Sequence, residues 1–361
     1  MLRNLNITAR MTVLVLAGAG AVLALIVWAS ARHSRKLLEE ELRGKAIATA
    51  EATANRIEAV QKSAARTAEQ LGVILEQGVL EREGVYSLLR ATVDRNPDVY
   101  GSAAAFAPGL LGPGEAGFAP YAWRQSGQLL GKDLASDRYR YAIQDWYTLP
   151  MELGRPVWSE PYFDEGGGDV LMATYSVPVY KGGDRSRFAA VVTCDVSLSW
   201  LSGLLSSLPL DQDGYAFLIS QHGTLIAHPT RQFIMNETFF SLAEERGDPS
   251  LRALGQRMVR GESGFVPFVT LTTRTPSWLA FTPVASTGWS LGVVFPRKAV
   301  DGKVRGLMLW QLALGTLGFV LLWAVVVLIA HSITRPIRTR AQATKILAAG
   351  DLDAPLPSVP G

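Results

Sequence analysis

DVLMATYSVPVY (169–180) and FAAVVTCDV (188–196) are two apolar segments near the centre of the chain, separated by a turn at Lys181-Gly-Gly-Asp184. Both segments are rich in β-branched and aromatic residues, and polar residues recur within them at alternate positions. This pattern is typical of paired β-strands joined by a short connection. The segments therefore predict a β-hairpin at the centre of an α+β domain.

Further strand and helix patterns extend this hairpin into two lobes. The first lobe (residues 98–210) has predicted strands at 99–106 and 121–123, a Gly/Pro-rich loop at 108–120 and a short helix at 200–208. The second lobe (residues 211–304) has predicted strands at 214–219, 224–229, 264–271, 277–283 and 289–296, with a helical stretch at 241–260. The alternation of polar and apolar residues favours an antiparallel sheet in each lobe.

Aromatic residues with polar tips and isolated acids are concentrated in the first lobe. Tyr and Trp provide apolar walls together with a hydrogen-bonding group, and a single carboxylate can bind a cation. This composition predicts a small-molecule pocket, while an ordinary β core filled with Tyr and Trp is the alternative interpretation. The candidate pocket residues are Tyr121, Trp123, Trp146, Tyr147, Tyr162, Asp164, Tyr175 and Asp195.

The charge and cysteine content argue against several classes of function. The formal net charge is +3, and basic residues are scattered among almost as many acids, so nucleic-acid binding is not expected. The single cysteine, Cys194, cannot form an intramolecular disulfide or a cysteine metal site. The four histidines, His33, His222, His228 and His331, are too few and too scattered to predict a metal cluster. We therefore expect neither a metal nor a cofactor.

Two uncharged apolar segments, 11–31 and 307–330, are each long enough to cross a hydrocarbon core of roughly 30 Å as a helix. Ala29-Ser30-Ala31 also resembles a signal-peptidase site, so a cleaved signal peptide is the alternative for the first segment. Short arginine-bearing flanks at 1–10 and after 330 favour two transmembrane helices with both termini in the cytoplasm. Residues of about 32–306 would then lie outside the cytoplasm.

Residues 32–97 are predicted to form a long helix to about Leu75 and a second helix from about Arg82 to Asn96. Small or apolar residues recur at intervals of three and four along the first helix. This seam predicts packing against the same helix of a second chain. Its members are Ala46, Ala50, Thr53, Ala54, Ile57, Val60, Ala64 and Ala68.

Beyond the second apolar segment, Ile333-Thr-Arg-Pro336-Ile337 begins a further helix that is followed by Gly350-Asp-Leu352. With these residues the whole chain resembles the sensory half of a bacterial transmembrane receptor, in which a double Cache domain precedes a HAMP linker. The resemblance implies a long N-terminal helix and two PAS-like (Cache) lobes of antiparallel sheet, flanked by two transmembrane helices and a partial HAMP segment at 332–361. It also implies a homodimer in the inner membrane, with a periplasmic sensor whose first lobe is membrane-distal and binds a small molecule.

The resemblance is strongest at residues that line the pocket of amino-acid-binding Cache domains. Tyr121, Trp146, Tyr147, Tyr162 and Asp195 are similar in kind and order to that set. The chain departs from the family at Gln144, where the family has an arginine that pairs with a ligand carboxylate, and Arg138 or Arg140 could take over that role. An amine or amino acid is therefore the first expected ligand, and a small carboxylate is the second.

The resemblance leaves the output activity open among a metal-dependent serine/threonine phosphatase, a histidine kinase, a diguanylate cyclase and a chemotaxis receptor, with a weak preference for the phosphatase. A membrane-tethered hydrolase that uses Asp164, Glu165 and Asp169 is a remote alternative. Gly166-Gly-Gly168 between these acids instead predicts a turn with solvated carboxylates. A purely structural ectodomain with an empty pocket is the third possibility.

Overall fold

The computed structural model describes residues 7–78, 81–110, 117–136, 138–210 and 213–348 of the chain. The chain forms two compact units, one from the segments before Leu42 and after Arg297, and one from Leu42 to Arg297. The second unit contains the first predicted lobe, the second predicted lobe as far as Arg297, and the candidate site.

Helix α1 extends over Ile7–Glu76. Its small-residue seam is buried, but against the lobes of its own chain: Ala46, Ala50 and Ala54 pack with the second lobe, and Ala64 and Ala68 pack with the first. The prediction that this seam packs against a twin helix is therefore wrong. Side chains of alanine size allow a helix to approach a sheet closely, and here that approach is made within one chain.

The first lobe contains a seven-stranded antiparallel sheet. Its strands are β1 (Gly101–Phe106), β2 (Pro120–Gln125), β3 (Gln128–Asp133), β4 (Val157–Trp158), β5 (Tyr162–Phe163), β6 (Leu171–Tyr180) and β7 (Phe188–Ser197). The order is β3-β2-β1-β7-β6-β4, and β5 pairs with β6. The helices are α2 (Arg82–Arg95), α3 (Asp145–Leu153) and α4 (Leu198–Ser206). The central β6–β7 hairpin is confirmed, whereas β3 was not predicted.

The two faces of this sheet have different partners because successive side chains of a strand alternate between faces. Val192, Cys194 and Val196 of β7 pack on the face that contacts α1 and α2. Val191, whose side chain lies on the opposite face of β7, packs with the aromatic residues around α3. The aromatic face is the one that carries the candidate site.

The second lobe is a five-stranded antiparallel sheet with two helices. Its strands are β8 (Tyr215–Ile219), β9 (Leu225–Ala227), β10 (Gly264–Val269), β11 (Pro276–Val284) and β12 (Trp289–Pro296), in the order β10-β11-β12-β8-β9. The predicted single helical stretch is divided into α5 (Phe239–Arg246) and α6 (Pro249–Val259). Gly247 ends α5 with a φ of 58°, and the Asp248 carboxylate caps α6 by accepting from the Ser250 and Leu251 amides.

The unit formed by the terminal segments consists of the start of α1 and of helix α7 (Arg297–Ala348). Both helices are long and apolar enough to cross a membrane, as predicted. Within this unit the Gln311 amide donates to the Ser30 hydroxyl at 2.7 Å, and Leu23 lies against Gly315. Residues 332–348 of the predicted HAMP segment continue α7, and its connector at 349–361 lies outside the described residues.

Candidate functional site

Asp195 lies on β7 in the middle of the aromatic face and is 3% exposed. The strand register places it opposite Gly101 of β1 on one side and Thr174 of β6 on the other. The Thr174 hydroxyl donates to Asp195 Oδ1 at 2.9 Å. The Tyr162 hydroxyl forms a hydrogen bond of 2.8 Å with the same Thr174 hydroxyl, which joins β5 to this carboxylate.

A second carboxylate, Asp164, is buried at the end of β5 and is 5% exposed. Its Oδ2 accepts from the Gly168 amide at 2.6 Å, and its Oδ1 accepts from the Tyr139 hydroxyl. The Tyr139 hydroxyl in turn accepts from Trp146 Nε1 at 3.1 Å. The prediction that the acids beside the three glycines are solvated is therefore wrong for Asp164, because the turn folds over its own carboxylate.

The other two acids of this turn have a different role. Glu165 and Asp169 are both exposed. Asp169 has a φ of 54°, and its Oδ1 accepts from the Gly166 amide at 2.7 Å. Asp169 therefore stabilises the turn itself, and the three acids do not form the acid–base pair that the hydrolase alternative requires.

Tyrosine hydroxyls surround the two buried carboxylates. Burial and the charges of Asp195 and Asp164 raise the pKa values of Tyr121 and Tyr162 well above their ordinary value. Tyr100, whose hydroxyl donates to the Gly168 carbonyl at 3.0 Å, has its pKa raised to about 12 by burial and by the same two acids. All three phenols are therefore protonated and can act as hydrogen-bond donors at neutral pH.

The environment of Asp195 disfavours its charged form. Burial, followed by the nearby charge of Asp164, raises the pKa of Asp195 from 3.8 to about 7, and the hydroxyls of Thr174 and Tyr121 act in the opposite direction. Neither Asp164 nor Asp195 forms an ion pair with a basic side chain of the described residues. The site therefore contains two buried carboxyl groups without an ion-pair partner among the described residues, and a bound cation would favour the charged form of Asp195.

At Gly101 the backbone of β1 lies close to the side chains of Tyr121 and Asp195. A Cβ atom at Gly101 would overlap the Tyr121 hydroxyl and would lie 2.9 Å from Asp195 Oδ2. Only a residue without a side chain permits this close approach.

An aromatic stack and one lysine form another edge of the site. The rings of Tyr121 and Trp123 are stacked with centroids 5.3 Å apart, and Lys132 Nζ lies 4.9 Å from the Trp123 ring centroid. The Lys132 ammonium donates to the carbonyls of Gly166 and Gly167 at 2.6 and 2.5 Å. Lys132 therefore links β3 to the turn that covers Asp164.

The structure brings most of the predicted site residues together. Tyr121, Trp123, Trp146 and Tyr147 are buried in one aromatic cluster, and Tyr162 packs against it. Gln144 occupies the N-cap position of α3, but its side chain makes no capping hydrogen bond and its amide instead donates to the Tyr139 carbonyl at 3.1 Å.

The remaining predicted residues lie elsewhere. Arg138 and Arg140 are exposed on either side of the buried Tyr139. Tyr175 points away from the site, because it packs with the cluster on the α1 face and its hydroxyl donates to Glu69 at 2.9 Å. Its neighbour Thr174 takes the place on the aromatic face that the sequence interpretation gave to Tyr175.

Sequence reasoning missed four residues that contact this site: Tyr100, Lys132, Tyr139 and Thr174. The period of two along β6 could have identified Thr174, since adjacent residues of a strand cannot share a face. Tyr100 lies in the predicted strand at 99–106, but it was not singled out as a pocket residue. Tyr139 lies outside any periodic pattern, and its position follows from tertiary packing alone.

Residues 85–203 match the family described as the methyl-accepting chemotaxis protein-like, first PDC sensor domain. The chain is 25% identical over 227 residues to the methyl-accepting chemotaxis protein McpC of Bacillus subtilis (strain 168), which covers 61% of this chain and 30% of McpC. The chain thus spans about a third of the length of this relative.

Solved structures show the same fold. The extracellular domain of the putative histidine kinase mmHK1S-Z3 superposes with a TM-score of 0.62 at 25% identity, covering 73% of this chain and 97% of that domain. The ligand-binding domain of the chemoreceptor PctB of Pseudomonas aeruginosa PAO1, solved with L-Arg, has a TM-score of 0.52 at 21% identity. The match covers 72% of this chain and 97% of the PctB domain. Residues 85–203 therefore match a PDC sensor domain, and the fold of the two lobes is that of the Cache-type sensor domains of membrane receptors.

Proposed function

We propose that the chain is the sensory part of a transmembrane receptor and that its first lobe binds a small ligand with a protonated amine. One observation carries this proposal: Asp164 and Asp195 are both buried among tyrosine hydroxyls, without an ion-pair partner among the described residues. A buried carboxylate is unfavourable unless it is neutralised or paired. An ammonium group supplies both the charge and the hydrogen-bond donors that these carboxylates accept.

The aromatic walls support the same class of ligand. Tyr121 lies near Asp195 and its ring stacks on that of Trp123, and an aromatic ring attracts an ammonium group that approaches its face. The L-Arg ligand of the PctB domain also carries an ammonium group, which is consistent with a site of this chemistry in a related fold.

The carboxylate of an amino acid has a weaker case in this chain. Gln144 stands where amino-acid-binding relatives have arginine, and its amide is used by the Tyr139 carbonyl. Arg138 and Arg140 are exposed, and Lys132 is bound to two backbone carbonyls of the turn. We therefore place an amine without a carboxylate first, an amino acid second and a simple carboxylate last.

A direct test compares L-arginine with agmatine, the same molecule without its carboxylate. Isothermal titration calorimetry on the full chain in nanodiscs would measure both, together with succinate as a simple carboxylate. Asp195→Asn should weaken agmatine binding at least tenfold, because the neutral amide cannot pair with the ammonium group. Asp98→Asn, which changes an exposed aspartate, is the matched control.

The outcomes separate the alternatives. Agmatine binding equal to or tighter than that of L-arginine supports an amine site, whereas much tighter L-arginine binding identifies an amino-acid site with a carboxylate partner. Succinate as the tightest ligand, or undiminished agmatine binding in Asp195→Asn, would contradict the proposal.

The ligand would act on the rest of the receptor by favouring one of two conformations of the sensor. Such coupling is typically on the order of 1–3 kcal/mol and requires different affinities for the two states. We propose a two-pass inner-membrane homodimer with both termini cytoplasmic and a HAMP linker after residue 332. The relatives described above are a chemotaxis protein and a putative histidine kinase. They favour one of those two outputs over the phosphatase, diguanylate cyclase or structural alternatives.

A further inference from the structure

The turn at residues 164–169, which we call the glycine turn, forms part of the cover over the carboxylate site of the first lobe. Asp164 and Asp195 are only 5% and 3% exposed, so both carboxylates are almost sealed from solvent in this conformation. A ligand therefore reaches them only after an element that covers them has moved.

The inner side of the glycine turn is in close contact with the site. Gly167 and Gly168 are both buried. A Cβ atom at Gly167 would overlap the Asp164 carboxylate, and a Cβ atom at Gly168 would lie 3.1 Å from the Tyr121 hydroxyl. The backbone of these two glycines, rather than a side chain, therefore covers this side of the site.

Few side chains attach the glycine turn to the rest of the first lobe. Among the described residues, the side chains outside the turn that donate hydrogen bonds to it are those of Lys132, Tyr100 and Tyr139. The Lys132 ammonium donates to the carbonyls of Gly166 and Gly167 at 2.6 and 2.5 Å, whereas each tyrosine makes one hydrogen bond. Lys132 therefore supplies the strongest of these attachments, since its two hydrogen bonds are assisted by charge.

The surroundings of Lys132 allow this attachment to be released. Lys132 is half-buried on β3, which is an edge strand of the sheet, and its ammonium lies 4.9 Å from the Trp123 ring centroid. The ammonium can exchange the two carbonyls for water without leaving a buried unpaired charge. The three consecutive glycines of the turn then permit a change of backbone conformation at low steric cost.

We propose that Lys132 is a latch that holds the glycine turn closed over the carboxylate site, and that its release limits how fast a ligand enters and leaves. The proposal rests on the amine site proposed for the first lobe. The closed turn makes the same two hydrogen bonds to Lys132 with and without a ligand, so the latch slows association and dissociation alike. It affects the dissociation constant, which is the ratio of the two rate constants, much less.

Lys132→Met keeps the apolar stem of the side chain and removes both hydrogen bonds. Stopped-flow tryptophan fluorescence of the full chain in nanodiscs measures the rates of agmatine binding. The association and dissociation rate constants should both rise by about tenfold or more, because two charge-assisted hydrogen bonds are lost. Lys132→Arg retains a cation with several donors and should restore slow binding. Lys181→Met, at an exposed lysine of the same lobe, is the matched control and should give the parental rates.

Hydrogen exchange of the full chain without ligand tests the latch separately from the amine site. The Gly167 amide donates to the Asp164 carbonyl at 3.1 Å, and the Gly168 amide donates to Asp164 Oδ2 at 2.6 Å, so both amides are protected while the turn is closed. Exchange at residues 165–168 should accelerate by about tenfold or more in Lys132→Met and stay at the parental rate in Lys181→Met.

The two measurements fail in different ways. If agmatine does not bind the parent chain, the proposed ligand class is wrong, and hydrogen exchange still decides whether Lys132 holds the turn. Lys132→Gln keeps a neutral donor and should give an exchange rate between those of the parent chain and Lys132→Met, which preserves the test if Lys132→Met does not fold.

Two results would overturn the proposal. Unchanged exchange at residues 165–168 in Lys132→Met means that other contacts hold the turn closed without this lysine. Faster dissociation of agmatine from Lys132→Met with an unchanged association rate means that Lys132 contacts the ligand instead of closing the site.

Discussion

Burial of the Asp195 carboxylate and, after it, the negative charge of the neighbouring Asp164 raise the pKa of Asp195 to about 7. In the unfolded chain this carboxyl group has a pKa near 3.8. Between these two values the folded state binds a proton that the unfolded state has released. The free energy of unfolding therefore falls as the pH rises from about 4 to 7, by an amount on the order of 4 kcal/mol.

Asp195→Asn should remove this dependence, because an amide stays neutral at every pH and can still accept from the Thr174 hydroxyl. We expect the variant to be close to the parent chain in stability at pH 4 and clearly more stable at pH 8. Thermal unfolding of the full chain without ligand, followed from pH 4 to 8, measures the effect. Asp98→Asn should follow the parent curve, and a parallel curve for Asp195→Asn would contradict the assignment.

Tyr139→Phe should destabilise the first lobe, because one hydroxyl serves two buried partners. It donates to Asp164 and accepts from Trp146 Nε1, so its loss leaves a buried acceptor and a buried donor unpaired. The expected loss is about 1–3 kcal/mol of unfolding free energy. Tyr180→Phe removes a hydroxyl that is not buried within this network and should change stability by less than about 0.5 kcal/mol. Equal effects of the two substitutions would exclude the proposed network.

Gly101→Ala should disturb the carboxylate site directly. The added methyl group would overlap the Tyr121 hydroxyl and press on Asp195, so we expect a loss of about 1–3 kcal/mol together with weaker amine binding. Gly131→Ala is the matched control on β3, since its Cβ would lie 3.5 Å from the Tyr121 carbonyl, an ordinary contact. Denaturation and calorimetry of both variants test the prediction, and an unchanged Gly101→Ala protein would show that the approach is not tight.

Gln61→Leu should loosen the attachment of α1 to the second lobe. Gln61 is 1% exposed, and its Oε1 accepts from the hydroxyls of Ser286 and Thr287 at 2.6 and 3.4 Å. Leucine removes this acceptor, with an expected loss of about 1 kcal/mol. Hydrogen exchange should accelerate at residues 285–288, whereas Gln70→Leu on the exposed side of α1 should leave them protected. Unchanged exchange in Gln61→Leu would mean that these hydrogen bonds do not hold the turn.

The long periodic elements could be predicted from sequence because their patterns are local. The β6–β7 hairpin and the small-residue face of α1 are examples. Strand β3 escaped prediction because Gln128-Leu-Leu-Gly-Lys-Asp133 has little alternation and pairs only as an edge strand. The seam of α1 was identified as a packing surface but assigned the wrong partner, since periodicity indicates a buried face and not what covers it.

The candidate site was predicted in part for a similar reason. Residue types identified Asp195, Trp146 and Tyr162, but the side on which a strand residue lies depends on register. Tyr175 and Thr174 show this, because adjacent positions on β6 face opposite ways. Asp164 shows a second limit: a glycine-rich turn usually exposes its acids, and only the tertiary contacts of Tyr139 and Gly168 bury this one.

The alanine face of α1 joins the two lobes through a single helix. The same continuous helix supplies Ala50 and Ile57 to one hydrophobic core and Ala68 and Leu71 to the next. These alanine side chains pack closely against both sheets, so α1 cannot slide along either sheet without losing contacts. A tilt of α1 caused by one lobe therefore also changes the packing of α1 in the other lobe. The two lobes therefore share a rigid lever, and a movement of one lobe against α1 becomes a mechanical load on the other.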